Sequence, residues 1–147
     1  MIYLYQNQNN QAAAVCSRNA TISNPVFLWK LVHKLSLEEY RFIPFRILPS
    51  VSYKPAYDLF CIDINDLIPE VLTGTTACGQ TNVHLIPGEY ALEVYQQTST
   101  SNLSPLLSQG LVYQTLVNMI GVNQNIPVTY SGQSNNYVIY DSDNAQN

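Results

Sequence analysis

Hydrophobic and polar positions alternate most strictly just after Pro87-Gly88. Tyr90, Leu92 and Val94 fall on one side, and Glu89, Ala91, Glu93 and Tyr95 on the other. A period of two sends alternate side chains to opposite faces of a sheet, so 87–96 reads as a turn followed by a strand. One face belongs to a core and the other meets water or a partner. The same pattern, weaker, marks other stretches. Ile2 to Tyr5 reads as a short strand, 6–11 as a polar turn, and Ala12 to Cys16 as its hairpin partner. Val26 to Val32 is a strand with Phe27, Trp29 and Leu31 toward the core. Lys34 to Glu39 is too short for more than a turn or one helical coil.

Tyr40 to Leu48 is apolar on both faces and carries Pro44, which suggests an edge strand or a bulge. Tyr57 to Ile64 alternates again, with Phe60, Ile62 and Ile64 expected inward and Asp58 and Asp63 outward. A long connection spans 65–80, and Asn82 to Ile86 reads as a strand. A Ser/Thr-rich crossing with Pro105 covers 97–109, and Gly110 to Val117 forms a further strand. Beyond it, Val128–Tyr130 and Tyr137–Tyr140 are short candidate strands in a polar tail. About seven to nine short strands with almost no helix predict an all-β fold, an antiparallel β-sandwich, with an up-and-down barrel as the alternative. The expected division is a sandwich domain over 1–117 and an irregular extension over 118–147. Gly88-Glu89-Tyr90 at the head of a strand resembles the tyrosine corner of immunoglobulin-like sandwiches, an ordinary half-buried tyrosine being the other reading.

Composition shifts the picture toward assembly. Charged residues make up 11% of the chain, against about 25% in an average soluble domain. Surface polarity therefore comes from Asn, Gln, Ser, Thr and eleven Tyr. Little charge repulsion holds neighbours apart on such a surface. With six Lys+Arg against ten Asp+Glu, the chain lacks the basic footprint of a nucleic-acid binder. No apolar run reaches the length of a membrane span, and the N-terminal residues do not read as a signal peptide. The expected site of synthesis is a cytoplasm. Three cysteines, Cys16, Cys61 and Cys78, are odd in number and widely spaced, which predicts reduced, partly buried thiols.

Candidate chemistry is sparse. His33 and His84 have no second ligand at metal spacing, and Asp58, Asp63, Asp66 and Glu70 do not follow the calcium-loop pattern. Asp141 and Asp143 read as a solvated pair. Glu89 and Glu93 share a strand face about 13 Å apart, beyond the ~5–9.5 Å of glycosidase carboxylates. No nucleophile elbow, phosphate loop or dinucleotide fingerprint is present. The expectation is a protein without catalytic, metal or cofactor-binding residues, and not an enzyme.

Several stretches in order carry a resemblance: Thr21-Ile22-Ser23-Asn24-Pro25-Val26-Phe27-Leu28-Trp29-Lys30, Tyr57-Asp58-Leu59-Phe60-Cys61-Ile62, Pro87 to Gln97, Ser101-Asn102-Leu103 and Gln109-Gly110-Leu111-Val112. Over about residues 1–117 the chain resembles small virion structural proteins of bacteriophages, especially phages of Bacteroidetes. Their pattern runs T-x-x-N-P-x-Y-L-F, Y-N-x-F-x-I, G-x-Y-x-Y-x-V-Y-E-Q, then E-x-G-x-V. Asp58 stands where the group often has Asn, and Gln96 where it often has Glu. The resemblance implies an immunoglobulin-like sandwich in a virion, as a head decoration, minor capsid, or collar or tail accessory protein, assembled in a bacterial cytoplasm with other virion proteins as partners, in a homo- or hetero-oligomer. It brings no catalytic residues. Expected partner contacts are Ala91 and Tyr95 on the outer strand face and Tyr137, Val138, Ile139 and Tyr140, which suit addition to a neighbour's sheet edge. The alternative is a carbohydrate-binding sandwich that stacks host glycans on Tyr95, Tyr113 or Tyr130.

Overall fold

The structure, a computed structural model, describes residues 1–48 and 56–122. In chain order its strands are β1 (Ile2–Tyr5), β2 (Gln8–Ala14), β3 (Val26–His33), β4 (Glu39–Phe42), β5 (Phe45–Ile47), β6 (Asp58–Ile64), β7 (Gly88–Gln97) and β8 (Leu111–Ile120). They form two sheets, ordered β1-β8-β7-β3-β4 and β2-β6-β5. The all-β expectation is met, and the two-sheet arrangement is compatible with a β-sandwich. The expected strands at 128–130 and 137–140 lie outside the described residues, as do Asp141 and Asp143.

Both sheets feed one core, and aromatic side chains join them. Trp29 on β3 lies 5.1 Å from Phe60 on β6, ring centre to ring centre, and 6.0 Å from Phe42 on β4. Phe27 meets Phe60 edge-on at 5.8 Å. Phe27, Trp29 and Leu31 are buried as the alternation of β3 predicts, and so are Tyr90, Leu92 and Val94 on β7. The Tyr90 hydroxyl donates to the Ile86 carbonyl at 2.5 Å, which ties the start of β7 to the segment before it. Gly88 between them has φ +146°, and a Cβ there would collide with the His33 imidazole.

Several expected elements fall differently. β1 and β2 are not a hairpin: β1 pairs with β8 in parallel, while β2 pairs antiparallel with β6. The chain changes sheets at Gln6-Asn7, where Asn7 takes a left-handed φ of 58°, a conformation asparagine tolerates. Gln8 to Gln11, read as turn for their polarity, belong to β2. Their amide side chains alternate out while Asn10 is buried and satisfied. It donates to the Tyr5 carbonyl at 2.9 Å and accepts from the Tyr5 N–H at 2.7 Å, stitching one sheet to the other. Pro44 sits between β4 and β5, both edge strands, where the chain crosses sheets a second time. The 82–86 segment is not a strand. Asn82 alone makes bridges, to Asp63 and Val71, and its side chain donates to the Asn65, Ile68 and Pro69 carbonyls. β8 runs three residues past its expected end at Val117.

Two polar residues are also corrected. Asp58 shares the parity of Phe60, Ile62 and Ile64 and is buried with them, not turned outward with Asp63. Its carboxylate accepts from the Cys16 N–H at 3.1 Å, the Ser17 N–H at 2.7 Å and the Ser17 hydroxyl at 2.5 Å. Arg46 Nε lies 2.9 Å away as an ion pair, without hydrogen-bond alignment, and its guanidinium also covers the Phe27 ring at 5.3 Å. Cys61 and Cys78 are not thiols but a disulfide that closes the 65–80 connection onto β6. Their Cα atoms stand 5.3 Å apart, which strand spacing alone did not foretell. Cys16 is the free one, and burial, then the Asp58 charge, push its thiol up to about 12.

Removing one member of a buried ion pair strands the other, at about 3–5 kcal/mol. Asp58→Ala is therefore expected to lower stability by that order, read as a fall in the urea midpoint at constant slope. A second expectation concerns the thiols. The folded, unreduced chain reacts with a thiol reagent at no cysteine, and the denatured, unreduced chain at Cys16 alone, so titration counts zero and then one.

Candidate interaction surface

The outer face of the five-stranded sheet holds Ala91 and Tyr95, the two expected contact residues that are described. Both are partly exposed. Ala91 lies between Val32 on β3 and Leu116 on β8. Beside this apolar row runs a charged one. Lys30 Nζ reaches Glu93 at 3.3 Å and Glu39 at 3.5 Å, and Glu39 also takes Arg41 at 2.5 Å. Glu89 pairs separately with Lys34 at 3.2 Å, so the two glutamates of β7 serve different cations. The Tyr95 hydroxyl donates to Glu93 at 2.7 Å. That bond, with the Lys30 charge, holds the Glu93 carboxyl below its ordinary 4.5. Burial, then the Glu93 carboxylate, push the Tyr95 phenol up to about 12.

A second surface comes from the β7–β8 connection, and sequence reading missed it. Gln97 closes β7 and donates to the carbonyls of Ser99 and Asn102, both at 2.9 Å. Asn102 returns a bond to the Gln97 side-chain oxygen at 2.8 Å and another to the Ser104 carbonyl at 3.0 Å, while the Ser104 N–H donates to its oxygen at 2.9 Å. Pro105 then opens a 3-10 turn, Pro105–Leu107, a position where its missing N–H costs nothing. The Ser108 hydroxyl bonds back to the Pro105 carbonyl. Gln96 secures the base: it accepts from the Thr21 N–H at 2.8 Å and donates to the Gln109 carbonyl at 3.0 Å. That bond pair couples this loop to the β2–β3 connection.

The outcome of this bonding is an exposed apolar tip. Leu106 is 94% exposed and Leu107 76%, with Leu111 at the start of β8 also exposed. Isolated exposed leucines are ordinary, but two in succession on a loop fixed by its own amides form a presented patch. The readable signal was the order Ser-Pro-Leu-Leu, an apolar pair after a helix-start proline in an otherwise polar run. Function tends to sit on loops held by a rigid frame, because ordering costs are already met before a partner arrives.

The remaining candidates separate in space. His33 accepts at Nδ1 from the Ser36 N–H at 3.1 Å and meets the Tyr90 ring at a tilt, while His84 bonds to the Ile68 carbonyl at 2.8 Å. Ser17 and Asp58 touch, and the third member of the cluster is Arg46, a cation rather than a base. Among the described residues no cluster of three His, Cys, Asp or Glu is gathered as a metal ion would need. Of the tyrosines proposed to stack sugars, Tyr113 packs against the core, Tyr95 is bonded to Glu93, and Tyr130 lies outside the described residues. No helix among the described residues is long and apolar enough to cross a membrane. Compared with protein-family models, curated proteins and solved structures, the chain finds no match in any of the three.

Glu93 gives the sheet face a testable pH dependence. Its folded value is depressed, so its stabilising contribution is complete above about 4.5 and is lost as pH falls through the lower folded value. Unfolding midpoints followed from pH 6 to pH 3 are expected to drop less steeply in Glu93→Gln than in the parent.

Proposed function

We propose that this chain is a non-enzymatic, immunoglobulin-like structural protein of a bacteriophage virion, working through protein–protein contacts at the head, collar or tail. The observation that carries the contact role is the braced 98–110 loop with Leu106 and Leu107 held in water. A partner that buries both gains roughly 1.5–3 kcal/mol per side chain, with little further loop ordering to offset it.

The strand order supports the immunoglobulin-like part of the reading. The run β8-β7-β3-β4 corresponds to the G-F-C-C′ side of a variable-type domain, and β2-β6-β5 to its B-E-D side. Tyr90 near the start of β7, bonded to the backbone four residues upstream, stands where such domains have the tyrosine corner. Trp29 is buried on β3, the strand that carries the core tryptophan in that fold. Leu92, two residues after Tyr90, replaces the second cysteine of antibody domains and packs in the same core. The charge-poor composition and the ordered motif series support the virion setting.

The test is a double substitution, Leu106→Asp with Leu107→Asp. Both side chains leave the core untouched, so the unfolding free energy should move by no more than about 0.5 kcal/mol. Particles purified from cells making the variant are expected to lack the protein. Undiminished incorporation overturns the contact role of the loop.

A further inference from the structure

Among the described residues β2 is an edge strand with an open side, and it pairs only with β6. The direction of its backbone groups follows from β6. The Asp63 N–H donates to the Thr81 carbonyl and the Asp63 carbonyl accepts from Val83, so both groups of Asp63 point away from β2. Alternation then turns Ile64, Ile62, Phe60 and Asp58 toward β2, bonded to Gln8, Asn10, Ala12 and Ala14 in the observed register. The N–H and C=O of Asn9, Gln11 and Ala13 therefore face outward, and no bond to any of these six groups occurs among the described residues. The side chains of the same three residues are exposed.

Sheet edges of this kind are usually guarded by a charge, a proline, a bulge or shortness. β2 has none of these over its seven residues. The other edges of the two sheets are guarded. β4 is four residues long, carries Glu39 and Arg41, and is followed by Pro44. β1 has its Tyr5 backbone groups taken by Asn10. β5 is three residues long.

We infer that β2 pairs with β2 of a second copy, antiparallel, about a two-fold axis at Gln11. The argument for this occupant is self-complementarity. Open groups at 9, 11 and 13 are symmetric about Gln11, so Gln11 faces its own mate and Asn9 faces Ala13 of the other copy. Each facing pair exchanges two backbone bonds. Because 8–14 carries no charge, the symmetric pairing brings no like charges together. The two three-stranded sheets then run on as one, in the order β5-β6-β2-β2-β6-β5. This contact is separate from the Leu106 loop and stands or falls without it.

The experiment measures the mass of the purified full-length chain by sedimentation across a concentration series. The parent is expected to approach twice its monomer mass as concentration rises. Gln11→Pro removes an outward N–H while leaving the β6 ladder intact, and Ala13→Lys adds a charge to the edge; each is expected to hold the monomer mass, with the parent's circular dichroism spectrum as the check on folding. A short bis-maleimide is expected to join two Gln11→Cys chains and not two Leu35→Cys chains, Leu35 being exposed in the turn after β3. A parent that stays monomeric throughout, or dimers that survive both substitutions, overturn the inference. Dimers that vanish when 123–147 is removed also overturn it, because the edge would then belong to the tail segment with Tyr137–Tyr140.

Discussion

Everything in this fold hangs on the edge-on contact of Trp29 with Phe60 across the gap between the sheets. Each sheet has one apolar face, and the two faces bury each other in a single core. The aromatic group formed by Phe27, Trp29, Phe42 and Phe60 joins strands from both sides at ring separations of 5.1–6.0 Å. Aromatic pairs in this range add roughly 0.5–1.5 kcal/mol each beyond the area they bury. β3 is held in position for this role by β7 on one side and β4 on the other, each in unbroken antiparallel register with it.

The rim of the sandwich is fixed by polar residues rather than by the core. At one side Asn10 imitates a strand, giving the Tyr5 backbone both the acceptor and the donor it lacks. At the other, the Ile43 N–H donates to the Leu72 carbonyl, and Thr81 donates to the Ile43 carbonyl. Asp58 anchors the chain where β2 runs into the β2–β3 connection, since it caps the backbone of Cys16 and Ser17. Uncharged amides thus do much of the work that ion pairs do elsewhere, which is how a chain so poor in charge still satisfies its buried backbone.

How much of this was legible depended on the kind of information each element carries. β3 and β7 were readable because their period-two pattern is set by burial of one face, and burial is local to the strand. Asp58 was misread because its charge was weighed above its parity, although its even spacing from Phe60, Ile62 and Ile64 places it inside. β2 was misread for the opposite reason: the composition of Gln8-Asn9-Asn10-Gln11 suits a turn, and only its partner β6 makes it a strand. The Cys61–Cys78 bond depends on a fold that brings a strand and a loop together, which spacing along the chain does not encode. The outer face of β7 was legible as a surface, whereas the Leu106 tip was not, because its exposure results from side-chain bonds within an irregular loop.

The parallel pairing of β1 with β8 sets the order in which the chain can fold. Ile2 lies across from Val117 and Tyr5 from Ile120, so β1 waits for the last described strand before it has a neighbour in its sheet. Such distant partners raise the contact order and slow folding, because the loop between them must be closed before any of its bonds form. Until then Ile2 and Leu4, which end up buried, lack the sheet neighbour that covers them.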